Sequence, residues 1–583
     1  MNLELLSNEL LLDIFEYIHS IELIRSFYDL NKRFNNLILI HLQTFGLDFR
    51  STSKQDFDII FQSYLQTIKH RIFSLKLSND DDETPEQIHL FHSYGWNFNK
   101  FPYLRSLSLN HIYFNKKTND SLSKCFHLTN LTLIKCYFSC TQSDIHRFMN
   151  DIWSLPKLQY FYLTNHSKHI VTFPIITNCS TSIKHLSISG FIDLDCLLNH
   201  LYHNTLCLQY LALDLSSIKE KLQISIQSVN ELNLVFNIHQ KHKLENLLQH
   251  IPNLYRLKIE INYIEINGYE WEEIIRKYLL KLEKFQLKMN ITVTEQNNHQ
   301  NLLNSFRTQF WLEEHQWFVQ YHFNSNDPYQ NAYIYTLPYS FTDFDIFFPS
   351  RFKSICSNDK HDCPYDYVQH LDYSCFSSKK FIKYPLNFHN INHLSITLPT
   401  CLHVLLLIER CHRLTSLVIT RPENMSNEDT QLYIQTLLDH IHYLHSFKFN
   451  SWSKVDYFDK KLSINKKIIP IIMRSPPIRR INLLGCDTWF TGEQFIELSR
   501  SSFVTHCQIL LIKVKQRKTI RTIINVMPNL RALVIRCQQD HFKFYYSPTQ
   551  DQLLHWLKNN LSSMCLIKRN YRFIHQIHIW IHR

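Results

Sequence analysis

The side chains with the greatest potential for chemistry are cysteines and histidines that lie close together in the second half of the chain. Five residues that can ligate zinc fall within about twenty positions: Cys356, His361, Cys363, His370 and Cys375. Their spacings match no standard zinc finger, and the segment around His370 also alternates like a strand. We therefore expect structural roles for these residues, and the sequence predicts no metal site.

The motifs of common nucleotide-dependent and hydrolytic enzymes are missing from the chain. The sequence has only six glycines, and their spacing is incompatible with a P-loop, with G-x-G-x-x-G and with G-x-S-x-G. No histidine is followed by glutamate, which excludes the H-E-x-x-H motif of zinc proteases, and no C-x-x-C pair supports a RING-type zinc module. The sequence therefore predicts a protein that is not an enzyme and that needs no cofactor.

The composition is that of a large folded protein. The chain has 583 residues, of which 44% are hydrophobic and 14% aromatic. Its apolar runs are far shorter than the roughly 20 residues that cross a bilayer, and no basic residue lies near the N-terminus as in a secretory signal. We expect no membrane contact, and a cytoplasmic or nuclear location with free thiols at the 15 scattered cysteines.

The charge of the chain permits acidic partners without indicating nucleic acid. The net charge is +11, but the basic residues are spread along the whole sequence and do not form one dense cluster. The charge pattern therefore favours a protein partner over nucleic acid.

Three short amphipathic helices are predicted in the first 45 residues. Asn8 can cap a helix over 9–18, and apolar residues recur at three-to-four spacing in further helices over 22–30 and 32–42. Helices this short bury little surface by themselves, so such a module usually packs on a partner or on a following domain.

This segment resembles the F-box. Residues 6–18 read LSNELLLDIFEYI, and Leu30 to Phe34 read LNKRF; the chain departs from the family pattern at Ser7, where the family has Pro, and at Phe34, where it has Trp. The resemblance covers about 40 residues and implies docking onto a Skp-type adaptor that joins a cullin ubiquitin ligase core. The adaptor-binding positions that it implies are Leu6, Ser7, Leu10, Leu11, Ile14, Phe15, Ile18, Leu23, Phe27, Leu30 and Phe34.

A short pattern recurs through the rest of the chain. Four stretches, which begin at residues 101, 155, 251 and 527, have the form apolar-Pro-x-Leu-x-x-apolar-x-apolar, in which the alternating tail predicts a strand. From Leu104 to Leu282 the starts of the Leu-x-x-Leu-x-Leu tail advance by 24, 30, 25, 25, 21, 25 and 28 residues. Further tails are predicted from Ile72, Val368, Ile391, Leu414, Leu444, Ile478, Ile509 and Ile574.

This repeat resembles the leucine-rich repeat, especially that of F-box proteins. The period lies close to the 20–29 residues of such repeats, and Asn or Cys follows several tails at the expected place: Cys136, Asn237, Asn262, Asn290 and Cys486. The resemblance implies an α/β solenoid with a concave parallel sheet and convex helices. Helices between the strands are predicted over 143–152, 270–282, 427–441 and 492–498.

The predicted organisation has five segments. An F-box-like helical domain (1–45) is followed by a helical linker (46–71) and a first repeat block (72–294). Residues 295–350 interrupt the period with an inserted β hairpin, and residues 351–583 form a second repeat block.

The residues that alternate with the core positions of the strands are expected to line the concave face, where they would form an aromatic patch followed by a basic track. The predicted substrate-binding residues are Tyr160, Tyr162, Tyr210, Arg256, Lys258, Lys284 and Lys288. The predicted function is that of a substrate-recognition subunit of a Skp–cullin–F-box type ubiquitin ligase, which binds an unknown protein substrate. The alternative is a leucine-rich-repeat scaffold with no link to a ligase.

Overall fold

The protein is described by a computed structural model. It describes residues 3–581 except 81–82, 85, 115, 139–140, 168–171, 192–196, 199–200, 202–203, 216–224, 293–297, 325–330, 349, 356–364, 376–387, 400–401, 423–424, 452–476, 541–550, 562–564 and 571–572. The chain divides into two compact units. The first comprises residues 1–321 and 331–336, and the second comprises residues 322–330 and 337–583.

Three helices open the first unit: α1 (Asn8–Glu16), α2 (Ser20–Phe27) and α3 (Lys32–Phe45). Their inward faces bury Leu11, Leu23 and Ile38 completely. Smaller helical pieces follow: α4 (Lys54–Ile59), a π turn (Ile60–Tyr64), α5 (Leu65–Ile68) and a 3-10 turn (Lys69–Arg71). The N-terminal helices are thus continuous with the unit that contains the first sheet.

Parallel strands in chain order form the sheet of the first unit. Each strand alternates buried apolar residues with more exposed ones, as expected when one sheet face packs on a core. The strands are β1 (Leu47–Asp48), β2 (Ser74–Ser78), β3 (Ser106–Asn110), β4 (Asn130–Cys136), β5 (Tyr160–Asn165), β6 (His185–Ser189), β7 (Tyr210–Leu215), β8 (Glu231–Phe236), β9 (Arg256–Asn262) and β10 (Lys284–Thr292).

Helices connect many of these strands, as parallel pairing requires. They are α6 (Gln87–Ser93), α7 (Lys116–Leu122), α8 (Gln142–Trp153), α9 (Lys241–Gln249), α10 (Gly268–Tyr278) and α11 (Asn298–Ser305). Short 3-10 turns lie at Leu3–Leu5 and Phe98–Lys100, and a π turn lies at Phe310–Glu314. The chain crosses between the units within β11 (Val319–Asn324), and β12 (Asn331–Thr336) then pairs antiparallel with β10.

An amide ladder links the carboxyl ends of β7 to β10. The Asn237 side chain donates to Asp214 Oδ1 at 2.9 Å, and the Asn262 side chain donates to Asn237 Oδ1 at 2.7 Å. Asn290 donates in turn to Asn262 Oδ1. The repeated asparagines therefore link successive strands, each through a donor to the strand before it.

The second unit repeats the same construction. Parallel pairing runs in order through β13 (Asp343–Phe348), β15 (His370–Cys375), β16 (His393–Thr397), β17 (Ser416–Arg421), β18 (Ser446–Ser451), β19 (Arg480–Gly485), β20 (Ile509–Val514) and β21 (Ala532–Cys537). β14 spans Ser350–Ser354. The helices are α12 (Leu402–Arg410), α13 (Asn427–Asp439), α14 (Gly492–Ser499), α15 (Ser502–Thr505), α16 (Arg517–Val526) and α17 (Gln552–Asn560).

Two predicted repeat positions need correction. The sequence pattern predicts that Ile509 opens a repeat tail, but Ile509 lies level with Arg480 and Ala532, and the buried Cys507 takes the leucine position instead. The pattern also predicts a parallel tail from Ile574. The strand there, β23 (Ile577–Ile581), pairs antiparallel with β21 and with β22 (Cys565–Arg569), because the chain turns back on itself after β22.

A mixed α/β architecture with parallel sheets is therefore the fold of this chain. In the described part of the chain, no helix is long and apolar enough to cross a bilayer.

Candidate protein-binding surfaces

An apolar strip lies exposed along α1. Leu10, Ile14 and Tyr17 follow one another at four- and three-residue spacing, so their side chains share one side of the helix and its C-cap. Leu10 is 51% exposed, Ile14 39% and Tyr17 92%. We call these three residues the α1 strip. Apolar side chains grouped in this way on a surface indicate a site where another molecule packs.

The start of α1 is fixed by Ser7. Its hydroxyl accepts a long hydrogen bond, 3.5 Å, from the Leu10 amide and so caps the helix. Hydrogen bonds from its own backbone amide and from Ser7 lower the pKa of the exposed Glu9 carboxyl. A serine at this position therefore has a clear structural role in starting the helix that carries the strip.

Three aromatic rings pack together between α1, α2 and α3, the helices that carry and support the α1 strip. The ring centroids of Phe15 and Phe27 lie 5.6 Å apart, those of Phe27 and Phe34 also 5.6 Å, and those of Phe15 and Phe34 6.4 Å. One ring comes from each of the three helices. These contacts fix the helices relative to one another, so the α1 strip is presented on a packed base.

Arg33 of α3 holds the segment that precedes α1. Its guanidinium donates to the Glu4 carbonyl at 2.6 Å, to the Leu6 carbonyl, and to Asn8 Oδ1 at 2.8 Å. The Asn31 side chain adds a hydrogen bond to Glu4 Oε1 at 2.9 Å. The segment that carries the exposed Leu3 and Leu5 is therefore tied to the helices.

Exposed apolar side chains concentrate in this part of the molecule. Of 26 large hydrophobic residues that are exposed in the described part of the chain, eight lie between residues 3 and 45. Single exposed apolar residues are normal on protein surfaces, but this density is not typical of a solvent-facing helix. The eight residues are Leu3, Leu5, Leu10, Ile14, Tyr17, Leu30, Ile40 and Phe45.

The eleven residues predicted to bind an adaptor divide by burial. Ser7, Leu10, Ile14 and Leu30 are exposed, and Leu6, Ile18 and Phe27 are half-buried. The remaining four are core residues whose side chains cannot reach a partner: Leu11, Phe15, Leu23 and Phe34. Sequence reasoning missed Leu3, Leu5 and Tyr17; the seven-residue spacing of Tyr17 from Leu10 was the available signal.

A second surface is the side of the first sheet that faces away from its core residues. The register aligns Tyr160, His185 and Tyr210 on β5, β6 and β7, and it aligns Tyr162 with Ser187 one level further along. We call the side chains of β3 to β7 on this side the β3–β7 face. Its members are Ser106, Ser108, Asn110, Asn130, Thr132, Ile134, Tyr160, Tyr162, Thr164, His185, Ser187, Ser189, Tyr210, Ala212 and Asp214.

Aromatic rings stack across this face. The Tyr160 and His185 rings lie 4.3 Å apart at 13°, and the Tyr210 ring lies 5.6 Å from that of His185. Burial lowers the pKa of His185, whereas nearby Glu231 acts in the opposite direction. Tyr160 and Tyr162 remain about 40% exposed, so their rings are pre-arranged and available for contact.

The β3–β7 face has the composition of a recognition surface. Tyrosine, serine, threonine and asparagine dominate it, and Asp214 is the single charged member. Tyr supplies large rigid contact area at low entropic cost, and small polar residues supply adaptable hydrogen bonds, as in antibody combining sites.

The predicted basic track continues along the same side on β9 and β10, but acidic neighbours neutralise part of it. Lys288 Nζ lies 3.0 Å from Glu260 Oε1, and its side chain is only 10% exposed. Arg256 lies 3.9 Å from Glu231 and donates to Gln286 at 3.1 Å. Lys284 is exposed, with its ammonium 5.7 Å from the centre of the Tyr255 ring, and Lys258 is half-buried.

The structure brings all seven predicted substrate-binding residues onto one side of one sheet. It separates them into an exposed tyrosine-rich part and a charge-paired part. The ion pairs arise because residues about 25 positions apart in sequence become neighbours on adjacent strands, which the sequence pattern alone does not reveal.

The cysteine and histidine group near residue 370 lies partly outside the described residues. Cys356, His361 and Cys363 are among those not described. His370 contacts Asp343 Oδ1 at 2.8 Å on the sheet surface. Within the described ranges, no group of three or more side chains has the arrangement of a metal site.

Comparison with models of protein families gives no match, and comparison with curated proteins gives no significant similarity. The features of this chain that bear on its function are therefore its two surfaces, the α1 strip and the β3–β7 face.

Proposed function

We propose that this protein is the substrate-recognition subunit of a Skp–cullin–F-box type ubiquitin ligase. In this proposal the N-terminal helices are an F-box-like module, and the two sheets with their helices are blocks of a leucine-rich-repeat solenoid. Ubiquitin transfer is carried out by partner subunits, and this chain contributes binding alone.

The observation that carries the proposal is the α1 strip. Leu10, Ile14 and Tyr17 leave a row of apolar surface in water, which costs about 25 cal/mol for each Å² that a partner could cover. The Phe15, Phe27 and Phe34 core holds that row in a fixed position, so little ordering is needed on binding. An adaptor with a complementary apolar groove fits this surface.

The β3–β7 face supports the second half of the proposal. Tyr160, His185 and Tyr210 form a rigid aromatic anchor, and serines, threonines and asparagines surround it. Tyrosine anchors of this kind carry much of the binding energy in protein interfaces. The N-terminal helices α2 and α3 lie against β1 and β2, whereas the face belongs to β3 to β7, so target and adaptor would occupy different surfaces of the first unit.

Co-purification tests the proposal. The full chain is expressed with a Skp-type adaptor, and the wild type is compared with a Leu10→Asp, Ile14→Asp double variant. Two charges on the α1 strip would have to be desolvated at the interface, so the complex is expected to be lost. A matched control is Leu406→Asp, Leu432→Asp, which changes two exposed leucines on α12 and α13 of the second unit.

The proposal predicts that the wild type and the control variant retain the adaptor and that the strip variant loses it. Circular dichroism checks that all three chains are folded. A folded wild type that retains no adaptor would remove the ligase link, and it would leave the alternative of a repeat scaffold that binds proteins without a ligase.

A further inference from the structure

A cavity of about 350 Å³ lies in the second unit, where the loops lead into β18, β19 and β20. Residues from four successive turns of the chain line it. The side chains with polar donors include His442, His445, Arg479, His506, Gln508 and Asn529. This cavity has no part in the proposed function, because neither the α1 strip nor the β3–β7 face belongs to the second unit.

The register explains why these donors converge. Ser446, Arg480 and Ile509 are aligned neighbours at the starts of β18, β19 and β20. The residues just before them, His445, Arg479 and Gln508, are therefore also neighbours, at the strand spacing of about 4.8 Å. Their backbones are joined as well, because the amides of Arg479 and Gln508 donate to the carbonyls of His445 and Arg479 at 3.0 Å and 2.8 Å.

The lining is rich in donors and poor in negative charge. Arg479 carries a permanent positive charge with five N–H donors, and three imidazoles and the Gln508 amide add further donors, whereas the Asn529 amide already donates to the Thr505 carbonyl at 3.0 Å. No aspartate or glutamate is among the described residues that line the cavity. Burial and the adjacent Arg479 lower the pKa of His445, so an anion placed here would relieve the unfavourable interaction of a charged imidazole.

The volume and lining of the cavity limit the classes of ligand that can bind there. A cavity of this volume lies at the lower end of the range for small-molecule sites, about 300–1,000 Å³. This volume is larger than a single oxyanion occupies, so the cavity also has room for an organic group. Tyr443 and Pro477 supply flat apolar surface beside the donors, and Tyr443 is exposed.

We propose that this cavity binds a small phosphate monoester, with the phosphate against Arg479 and the histidines and the organic group against Tyr443 and Pro477. A phosphate dianion presents three terminal oxygens that match several donors at once, and a guanidinium binds two of them in parallel. A carboxylate has only two oxygens and would therefore satisfy fewer of the five donor side chains other than Asn529.

Isothermal titration calorimetry of the full chain tests the site at constant ionic strength, because salt screens such contacts. The probes are inorganic phosphate and phenyl phosphate. We expect phenyl phosphate to bind severalfold more tightly than inorganic phosphate. In Arg479→Ala, the affinity for phenyl phosphate is expected to fall about tenfold or more, since a hydrogen-bonded charged group is lost.

The matched control is Arg521→Ala, an exposed arginine on α16 of the same unit that does not line the cavity. It is expected to bind as the wild type does. Absence of binding by the folded wild type, equal affinity for the two probes, or equal weakening in the two variants would overturn the proposal.

A phosphate monoester could come from a free small molecule or from a phosphorylated partner protein. A pentapeptide that contains phosphotyrosine distinguishes these two sources. If the peptide binds no more tightly than phenyl phosphate, the site is one for small molecules, as proposed. If it binds much more tightly, the ester belongs to a partner protein and the small-molecule assignment is wrong.

Discussion

The two units use the same side of their sheets in opposite ways. In the first unit, most of the residues that alternate with the core positions of β3 to β7 are polar or aromatic, and most are accessible to water. In the second unit, five of the corresponding residues of the last strands are apolar and no more than 7% exposed: Ile509, Leu511, Ala532, Val534 and Trp580. These side chains bury one another, with Leu484 and Leu566 at their edge.

This difference shows that the side of the sheet opposite the core can take different roles in the two units. Parallel pairing requires buried apolar residues on one side only, for example Leu186 and Leu211 in the first unit or Leu510 and Leu533 in the second. The other side is available for another purpose. In the proposed function the first unit offers it to a partner, whereas the second unit packs apolar side chains on it at the end of the sheet.

The largest expected effect concerns the ion group that holds the end of the second unit. Arg569 of β22 lies between Asp540 and Asp551, with contacts of 2.6 Å and 2.5 Å, and all three side chains are nearly inaccessible. Asp551 also caps α17 through the Leu554 amide. Asp551→Ala should lower the free energy of unfolding by about 4 kcal/mol, because the buried Arg569 loses one of its two carboxylate partners and the helix loses its cap.

Urea denaturation measures this change. The matched control is Asp120→Ala in the first unit, whose partner Arg147 lies 3.4 Å away with both side chains exposed. That surface pair should contribute less than about 1 kcal/mol. Similar losses in the two variants would contradict the view that the end of the second unit depends on buried contacts.

Removing an apolar anchor from the same end should have the next largest effect. Trp580 of β23 is 5% exposed and packs with Ala532 and Val534. Trp580→Ala should lower the free energy of unfolding by about 3 kcal/mol, since a large side chain is replaced by a cavity. Thermal unfolding followed by circular dichroism measures it. A shift in Tm no larger than that of a half-buried control, Trp556→Ala on α17, would show that the apolar cluster is not stabilising.

The pH dependence of stability should differ between two stacked histidines, one in each unit. His322 of the second unit is buried between Phe344 and Phe352, with ring distances of 5.9 Å and 4.4 Å, and burial lowers its pKa to about 3. The unfolded chain takes up a proton near pH 6.5 whereas the folded chain does not. Stability should therefore fall by about 1.4 kcal/mol for each pH unit below about 6.5, down to about pH 3.

Urea titrations between pH 7.5 and 4.5 measure this slope. His322→Phe should make the slope shallower by that amount. His185→Phe in the first unit should change it less, because His185 is only half-buried on the β3–β7 face. A slope unchanged by His322→Phe would contradict the assignment of a buried neutral imidazole.

The smallest effect on stability is expected on the β3–β7 face. Tyr160→Ser with Tyr162→Ser removes two exposed rings, so the free energy of unfolding should change by less than about 1 kcal/mol. Capture of proteins by the chain, measured by quantitative mass spectrometry, should fall about tenfold or more for a specific target. Retained capture of every partner would show that this face does not bind the target.

The sequence predicts the strands well because their signal is local. From β3 to β10, each strand begins two residues after the first leucine-type position of its repeat, as with Leu104 and Ser106. The signal fails where a residue type is unusual. Cys507 is small and apolar enough to fill a leucine position, but it does not match the leucine pattern by type. The pattern therefore predicts that the repeat begins two residues too late, at Ile509.

The surfaces are less predictable, because they depend on which distant residues become neighbours. The pairing of Lys288 with Glu260 follows from the register of β9 and β10 and has no local sign in the sequence. The cavity around Arg479 likewise gathers residues from turns that are 20 to 35 positions apart. The sequence predicts the α1 strip only in part. Periodicity marks both Leu10 and Leu11 as apolar positions of the helix, but only Leu10 is exposed to water.

Hydrogen–deuterium exchange of the chain with and without a Skp-type adaptor tests the central claim most directly. The account predicts slower exchange in the segment from Leu3 to Tyr17 when the adaptor is bound, with unchanged exchange in β3 to β7. Protection confined to β3–β7, with no change along α1, would place the adaptor on the wrong surface and would contradict the division of roles between the two surfaces.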